Sequence, residues 1–178
     1  NPFSFLHIIN PAYINQQKIG MNERFKMVSN KYQDFKRDGI LFQEENEAMY
    51  LYKIESKKNT FVGIMAGTSV QDYQENKIKK HENTLKYRVD TLKEYFKITQ
   101  FNTEPVLMMH QENDELQNWI NEKQESEPLY NFSSTNKEKH TLWRIDSSEE
   151  LNFLSDIYSS FENLYIAESL PHLKGVVT

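Results

Sequence analysis

Apolar residues recur along this chain at two different spacings, and each change of spacing marks a change of element. Phe25, Val28, Tyr32 and Phe35 fall at i, i+3, i+7 and i+10, which puts them on one face of a helix. Asn22 is a residue type that caps such a helix, and Gly39 suits the left-handed position just past its end. Leu85, Val89, Leu92 and Phe96 follow at steps of four, three and four. They predict a helix over 82–99 with those four side chains as its apolar face. Leu116, Trp119 and Ile120 predict a short helix capped by Asn113 or Asp114. Ser147 and Glu150 have the spacing of a capping box, and Leu151, Leu154, Ile157 or Tyr158, and Phe161 form the face that follows.

The remaining apolar stretches are shorter and read as strands. Phe3 to Ile9 is expected to be a buried strand stopped by Asn10-Pro11, with a loop over 11–21. Ile40-Leu41-Phe42 resumes extended structure. Ala48 to Ile54 and Thr60 to Val70 flank a polar Lys57-Lys58-Asn59 turn and predict a hairpin. Gly63 and Gly67 would mark a bulge or a close approach by another backbone. A polar loop is expected over 71–77. Further strands are predicted over 105–110, 128–132, 140–145 and 163–167, with a polar turn at 133–137. In 140–145, alternation puts His140, Leu142 and Arg144 on one face and Thr141 and Trp143 on the other. Helices and strands mix without regular βαβ alternation. The fold expected is α+β, with a mixed, largely antiparallel sheet and about four helices packed on it, in a single domain over residues 1–178.

Composition narrows the function classes. With 11 Phe, 10 Tyr and 2 Trp, the chain has bulky material for a core. A net charge of −5 gives no general attraction for nucleic acid, so direct nucleic-acid binding is not expected. No apolar run approaches the ~20 residues that span a bilayer. The absence of cysteine excludes disulfides, thiol catalysis and thiolate metal sites, and is compatible with a cytoplasmic setting. No His-x-His or HExxH spacing points to a metal, and no GxGxxG, Walker or GxSxG motif occurs. The chain opens on Asn1-Pro2-Phe3 rather than Met and reads as a piece of a longer protein.

One stretch concentrates polar chemistry: Lys77-Ile78-Lys79-Lys80-His81-Glu82-Asn83-Thr84. If a helix begins near Glu82, its free amides face the same region as the lysines and offer an anion or phosphate site. His81 would then serve as acid or base, and Glu82 as a base or a metal ligand. The plainer alternative is a solvated charged loop leading into a helix. His140 and Arg144 on one sheet face form a second candidate for an anionic ligand, against a plainer reading as outward polar residues. His7 and His110 sit in apolar, strand-like surroundings and read as structural.

Several segments, in order, carry a family resemblance. They are Asn1 to His7, Asp72-Tyr73, Lys77 to Glu82 with Thr84, Thr99, and Phe101-Asn102-Thr103-Glu104-Pro105-Val106-Leu107. Pro128 to Phe132, His140 to Trp143 and Leu164 to Ala167 complete the series. Together they resemble the prokaryotic family catalogued as domain of unknown function 1015, over nearly the whole chain up to Ala167. The form of Phe101 to Leu107 is similar to that of Bacteroidetes-type members. Two departures stand out. The family's upstream Pro-Tyr-Asp segment is missing. Where members continue Asp-Gly-His-His-Arg after the strand matching Leu164 to Ala167, this chain reads Glu168-Ser169-Leu170-Pro171-His172.

The family is itself similar to the ParB and sulfiredoxin superfamily, which includes nucleotide-binding proteins and phosphotransferases such as free-serine kinases. That resemblance implies a nucleotide or phosphorylated small-molecule ligand, with ATP or ADP and Mg as the cofactor and phosphoryl transfer as the reaction of a full-length relative. Lys79, Lys80 and Arg88 would neutralise phosphate, with Thr84 beside them, and His81 or Glu82 would position or deprotonate an acceptor. Glu104 and His140, in the other family segments, are secondary candidates. The alternatives are a non-enzymatic regulatory or protein-binding module and an inactive truncated chain.

Overall fold

The computed structural model describes residues 2–11, 19–79, 86–103 and 105–168. In chain order its elements are α1 (Leu6–Ile9), α2 (Met21–Arg37), β1 (Met49–Glu55), β2 (Thr60–Met65), α3 (Val70–Gln74), β3 (Ile78–Lys79), α4 (Lys86–Thr99), β4 (Leu107–Met109), α5 (Asp114–Gln124), β5 (Tyr130–Ser133), β6 (Lys139–Ile145), α6 (Ser148–Ser160) and β7 (Leu164–Glu168). The chain is α+β, and it divides into two compact units: Asn1–Glu45 with Asn83–Glu104, and Asn46–Glu82 with Pro105–Thr178.

The first unit is helical. Phe25, Val28 and Phe35 of α2 are buried on the predicted stripe. Val28 and Phe35 cluster with Ile8 of α1, and Tyr32, Ile40, Leu41, Tyr95 and Phe101 pack around them. Aromatic contacts tie this group together: Tyr32 stacks on Phe101 at 4.1 Å, and Phe25 meets Tyr95 edge-on at 5.2 Å. Gly39 takes φ 70°, as its position past α2 requires.

Three expectations fail here. Phe3 to Ile9 is not a strand. Backbone bonds from His7 N to Ser4 O and from Ile8 N to Phe5 O wind it into a helical turn. Ile8 is fully buried while Leu6 stays 64% exposed. A short apolar run has no period by which to choose between strand and helix, so packing decides. Ile40 to Phe42 is no strand either, because the Ile40 and Leu41 amides both donate to Phe35 O and finish the helix. The third correction is the phase of α4. Leu92 and Phe96 are 38% and 40% exposed, while Thr99 is buried. Tyr95 and Thr99 face inward because Phe25 and Phe101 offer Tyr95 two aromatic contacts. The Thr99 hydroxyl is satisfied by Tyr95 O at 2.9 Å. Leu85 lies outside the described residues.

The second unit holds two sheets. One is a four-stranded antiparallel sheet in the order β2-β1-β6-β5, and the other a three-stranded sheet in the order β3-β7-β4. The predicted hairpin is β1–β2, and Tyr52 pairs with Gly63 in unbroken register, so Gly63 marks no bulge. A β-carbon on Gly67 would meet nothing within 4 Å, so no backbone approaches closely there either. β3 and β7 run parallel, and β4 is antiparallel to β7. Leu51 on β1 lies between Ile64 on β2 and Trp143 on β6. These side chains, with Ile145, form a core that Leu116 of α5 and Leu154 and Ile157 of α6 close. The helices therefore cover the sheet face that carries Leu51, Thr141 and Trp143.

Local chemistry fixes the helix ends in this unit. Asn113 Oδ1 accepts from Leu116 N at 2.8 Å and starts α5. Ser147 Oγ accepts from Glu150 N at 3.2 Å and starts α6. The loop expected over 71–77 instead contains α3, a short helix whose first amides donate to Ser69 Oγ. A serine cap was enough to wind Val70 to Gln74, which carry no apolar stripe. Among the described residues no helix is long and apolar enough to cross a membrane.

Candidate functional site

Within the second unit a cleft of about 360 Å³ opens where the two sheets and α6 meet. Its apolar wall is built from the ends of several elements. Ile64 comes from β2, Ile78 from β3, Met108 and Met109 from β4, Leu154, Tyr158 and Phe161 from α6 and its end, and Leu164 from β7. Its polar rim includes Thr68, Ser69, Asp72, Lys77, His110, Ser155, Ser159 and Glu162. An apolar recess with a few polar groups at its edge is the usual form of a small-molecule site.

Two of the rim groups, Lys77 and Asp72, are engaged with each other. Lys77 Nζ lies 3.1 Å from Asp72 Oδ1 and 3.2 Å from Glu75 Oε2. The hydrogen bond to Asp72, then that to Glu75, raises the Lys77 pKa above its ordinary value. The hydrogen bond from Gln71, then that from Lys77, holds the Glu75 carboxyl below the usual range. The Lys77 carbonyl accepts from Leu164 N at 2.9 Å, which anchors this corner to the start of β7.

An aromatic group occupies another side. His110 stacks on Phe161 at 4.8 Å and meets Tyr158 edge-on at 5.5 Å. His110 Nδ1 lies 2.7 Å from the Gln111 carbonyl, which can only accept, so Nδ1 carries the proton. In the neutral ring Nε2 is then the acceptor. Burial pushes the Tyr158 hydroxyl up to about 12.

Of the residues expected from sequence, Lys80, His81, Glu82, Thr84 and Glu104 lie outside the described residues. Lys79 is half-buried in β3, directly after two residues of the cleft wall. Arg88 belongs to the first unit, where its Nε donates to Tyr87 Oη at 3.2 Å. His140 lies in β6, in a sheet different from that of Lys79. Its Nδ1 is 2.7 Å from Tyr52 Oη, and its ring stacks between Phe132 at 5.0 Å and Tyr52 at 6.0 Å. His140, Leu142 and Arg144 do share the face opposite Thr141 and Trp143, as alternation predicts. Sequence reasoning missed His110, Tyr158 and Phe161 as a group. Their only signal was three aromatic rings at the ends of predicted elements, and which ends meet is set by topology.

The fold and cleft define an α+β protein whose second unit carries an apolar recess with a polar rim. The chain belongs to the family described as protein of unknown function (DUF1015), whose profile matches residues 1–168. No curated protein and no solved structure matches it.

Proposed function

We propose that the second unit binds a nucleotide or another phosphorylated small molecule. The base, or another flat apolar body, would enter the cleft, and the phosphate would lie on the basic stretch that continues from it. One observation carries this reading: Lys77 and Ile78, the first two residues of that stretch, are part of the cleft wall. The volume suits a nucleoside-sized body, and Met108, Met109 and Phe161 supply polarisable surface for a ring. The resemblance read from sequence between the family and the ParB and sulfiredoxin superfamily implies the same ligand class.

The described rim fits the nucleoside better than the phosphate. Lys77 is held by two carboxylates, so its charge is already balanced. In this reading phosphate neutralisation falls to Lys79 and Lys80, with His81 and Glu82 beside the acceptor. ATP or ADP with Mg would supply a transferable phosphoryl group when bound. The chain's own part is to bind and orient the nucleoside.

The test is a thermal-shift titration with ATP, ADP, adenosine and pyrophosphate. Ligand that binds the folded state alone raises Tm with concentration. Ser155→Trp, which fills the cleft mouth, should abolish the adenosine response. Lys79→Ala with Lys80→Ala should abolish only the extra response to phosphate. No shift with any of the four compounds would sink the reading.

A second reading, a non-enzymatic regulatory or protein-binding module, is favoured by a separate observation. Phe61, Tyr130 and Phe132 are exposed on the sheet face away from α5 and α6. A protein partner whose binding is lost in Phe132→Ala and unaffected by Ser155→Trp would favour it.

A further inference from the structure

A second cleft, of about 470 Å³, lies on the helix-covered side of the four-stranded sheet, and its lining is almost wholly polar. It stands between the C-terminal end of α5 and one end of that sheet. The sheet supplies a cross-strand row: Lys53 on β1 pairs with Thr141 on β6, and Thr141 pairs with Asn131 on β5. Asn121 and Gln124 of α5 and Glu125 just past its end line it, and Trp143 closes the floor. The Trp143 indole is held in place by its N–H, which donates to Ser126 O at 3.0 Å.

Thr141 is the informative residue. Only 4% of it is exposed, and it lines this cleft. Among the described residues its hydroxyl has no hydrogen-bond partner. The hydroxyl is reached from the cleft and not sealed from it, so a ligand in the cleft can supply the partner that the protein does not. The side chains around it offer both donors and acceptors. Glu55 sits 3.3 Å from Lys53 and 3.7 Å from Lys139, so one carboxylate is shared by two ammonium groups. Glu125 balances the remaining positive charge, and the formal sum over the charged lining is zero. The C-terminal end of α5 adds partial negative charge, which disfavours an anion.

We infer that this cleft binds a neutral polyhydroxylated small molecule, of the monosaccharide or cyclic-polyol class. A hydroxyl both donates and accepts, so such a ligand can satisfy Thr141, Asn131 and the shared Lys53–Glu55–Lys139 cluster at once. Trp143, only 5% exposed, closes the floor behind these groups and reports on what fills the cleft. The site is separate from the apolar cleft and shares no lining residue with it.

The experiment uses Trp143 as its own reporter. In Trp119→Phe, the only other tryptophan is gone, and emission is followed while glucose, ribose and inositol are added in turn. A saturable change with at least one of them is expected. Thr141→Val keeps the shape of the side chain and removes its hydroxyl, and should weaken binding about 2- to 10-fold, as should Asn131→Ala. If Trp119→Phe does not fold, amide shift mapping on the unaltered chain takes its place, with the largest shifts expected at Lys53, Asn131 and Thr141. No saturable response to any neutral polyol overturns the inference. So does a response unchanged by both variants, and so does binding of phosphate or sugar phosphates alone.

Discussion

Lys123 Nζ lies 2.8 Å and 3.1 Å from the two carboxylate oxygens of Glu150, across 27 positions of chain. The same carboxylate accepts from Ser147 Oγ at 3.0 Å, and the Glu150 amide donates back to that hydroxyl. One side chain thus braces the N-cap hydroxyl of α6 and fastens the last turn of α5 to it. Both partners are mostly shielded, at 15% and 26% side-chain exposure. Removing one would leave the other charge poorly solvated. Glu150→Ala should therefore cost about 2 kcal/mol, combining a lost brace on the cap with a broken half-buried pair. Urea denaturation of the two single variants and the Lys123→Met/Glu150→Ala double variant checks it. A coupling near zero would show that the contact contributes nothing.

The phase of α4 makes a second prediction, because pattern and structure choose different faces. Leu92 is on the predicted apolar stripe but is more than a third exposed. Tyr95 is off that stripe, yet it meets Phe25 at 5.2 Å and Phe101 at 6.3 Å. Tyr95→Ala should cost about 3 kcal/mol, as aromatic truncations in a core do. Leu92→Ala should cost less than about 1 kcal/mol. If chemical denaturation ranks the two the other way, the helix is turned with its predicted face inward.

What could be read from sequence divides along the same physical line. Elements with a long period or a defined cap were legible: α2 through Phe25, Val28 and Phe35, α6 through Ser147 and Glu150, and the β1–β2 hairpin through its polar turn. Elements too short to show a period were not, which is why Phe3 to Ile9 and the α3 segment were misassigned. The site was legible only at one corner. Asp72 and Lys77 stand in family segments five residues apart, and the structure joins them through a hydrogen bond. His110, Tyr158 and Leu164 meet them only because β3 pairs with β7 and β7 with β4. Thr141 was placed on the correct sheet face by alternation, but no pattern announces that this residue lines a polar cleft.

Gly39 gives a test that involves no packing. Its φ of 70° lies in the left-handed region, and a β-carbon there would meet nothing within 4 Å. Substitution cost is therefore conformational alone. Gly39→Ala should destabilise by about 1 kcal/mol, and Gly39→Asn by less, since asparagine tolerates this region better. Equal stability of all three proteins in thermal unfolding would mean that the chain leaves α2 by another turn.

The cleft itself can be interrogated through Tyr158. Burial raises its hydroxyl pKa from 10.0 to about 12, because the ionised form would be poorly solvated between His110 and Phe161. The unfolded chain ionises this tyrosine first as pH rises. Its contribution to stability is fully present below pH 10 and is lost as pH climbs towards 12. Two pKa units correspond to about 3 kcal/mol. Tyr158→Phe keeps the ring contacts and removes the ionisation. Its stability should therefore fall less steeply than that of the unaltered protein between pH 10 and 12, with the two curves parallel below pH 9. Urea midpoints measured across that range decide the matter: parallel curves throughout would mean that the hydroxyl is solvated and the aromatic side of the cleft is open.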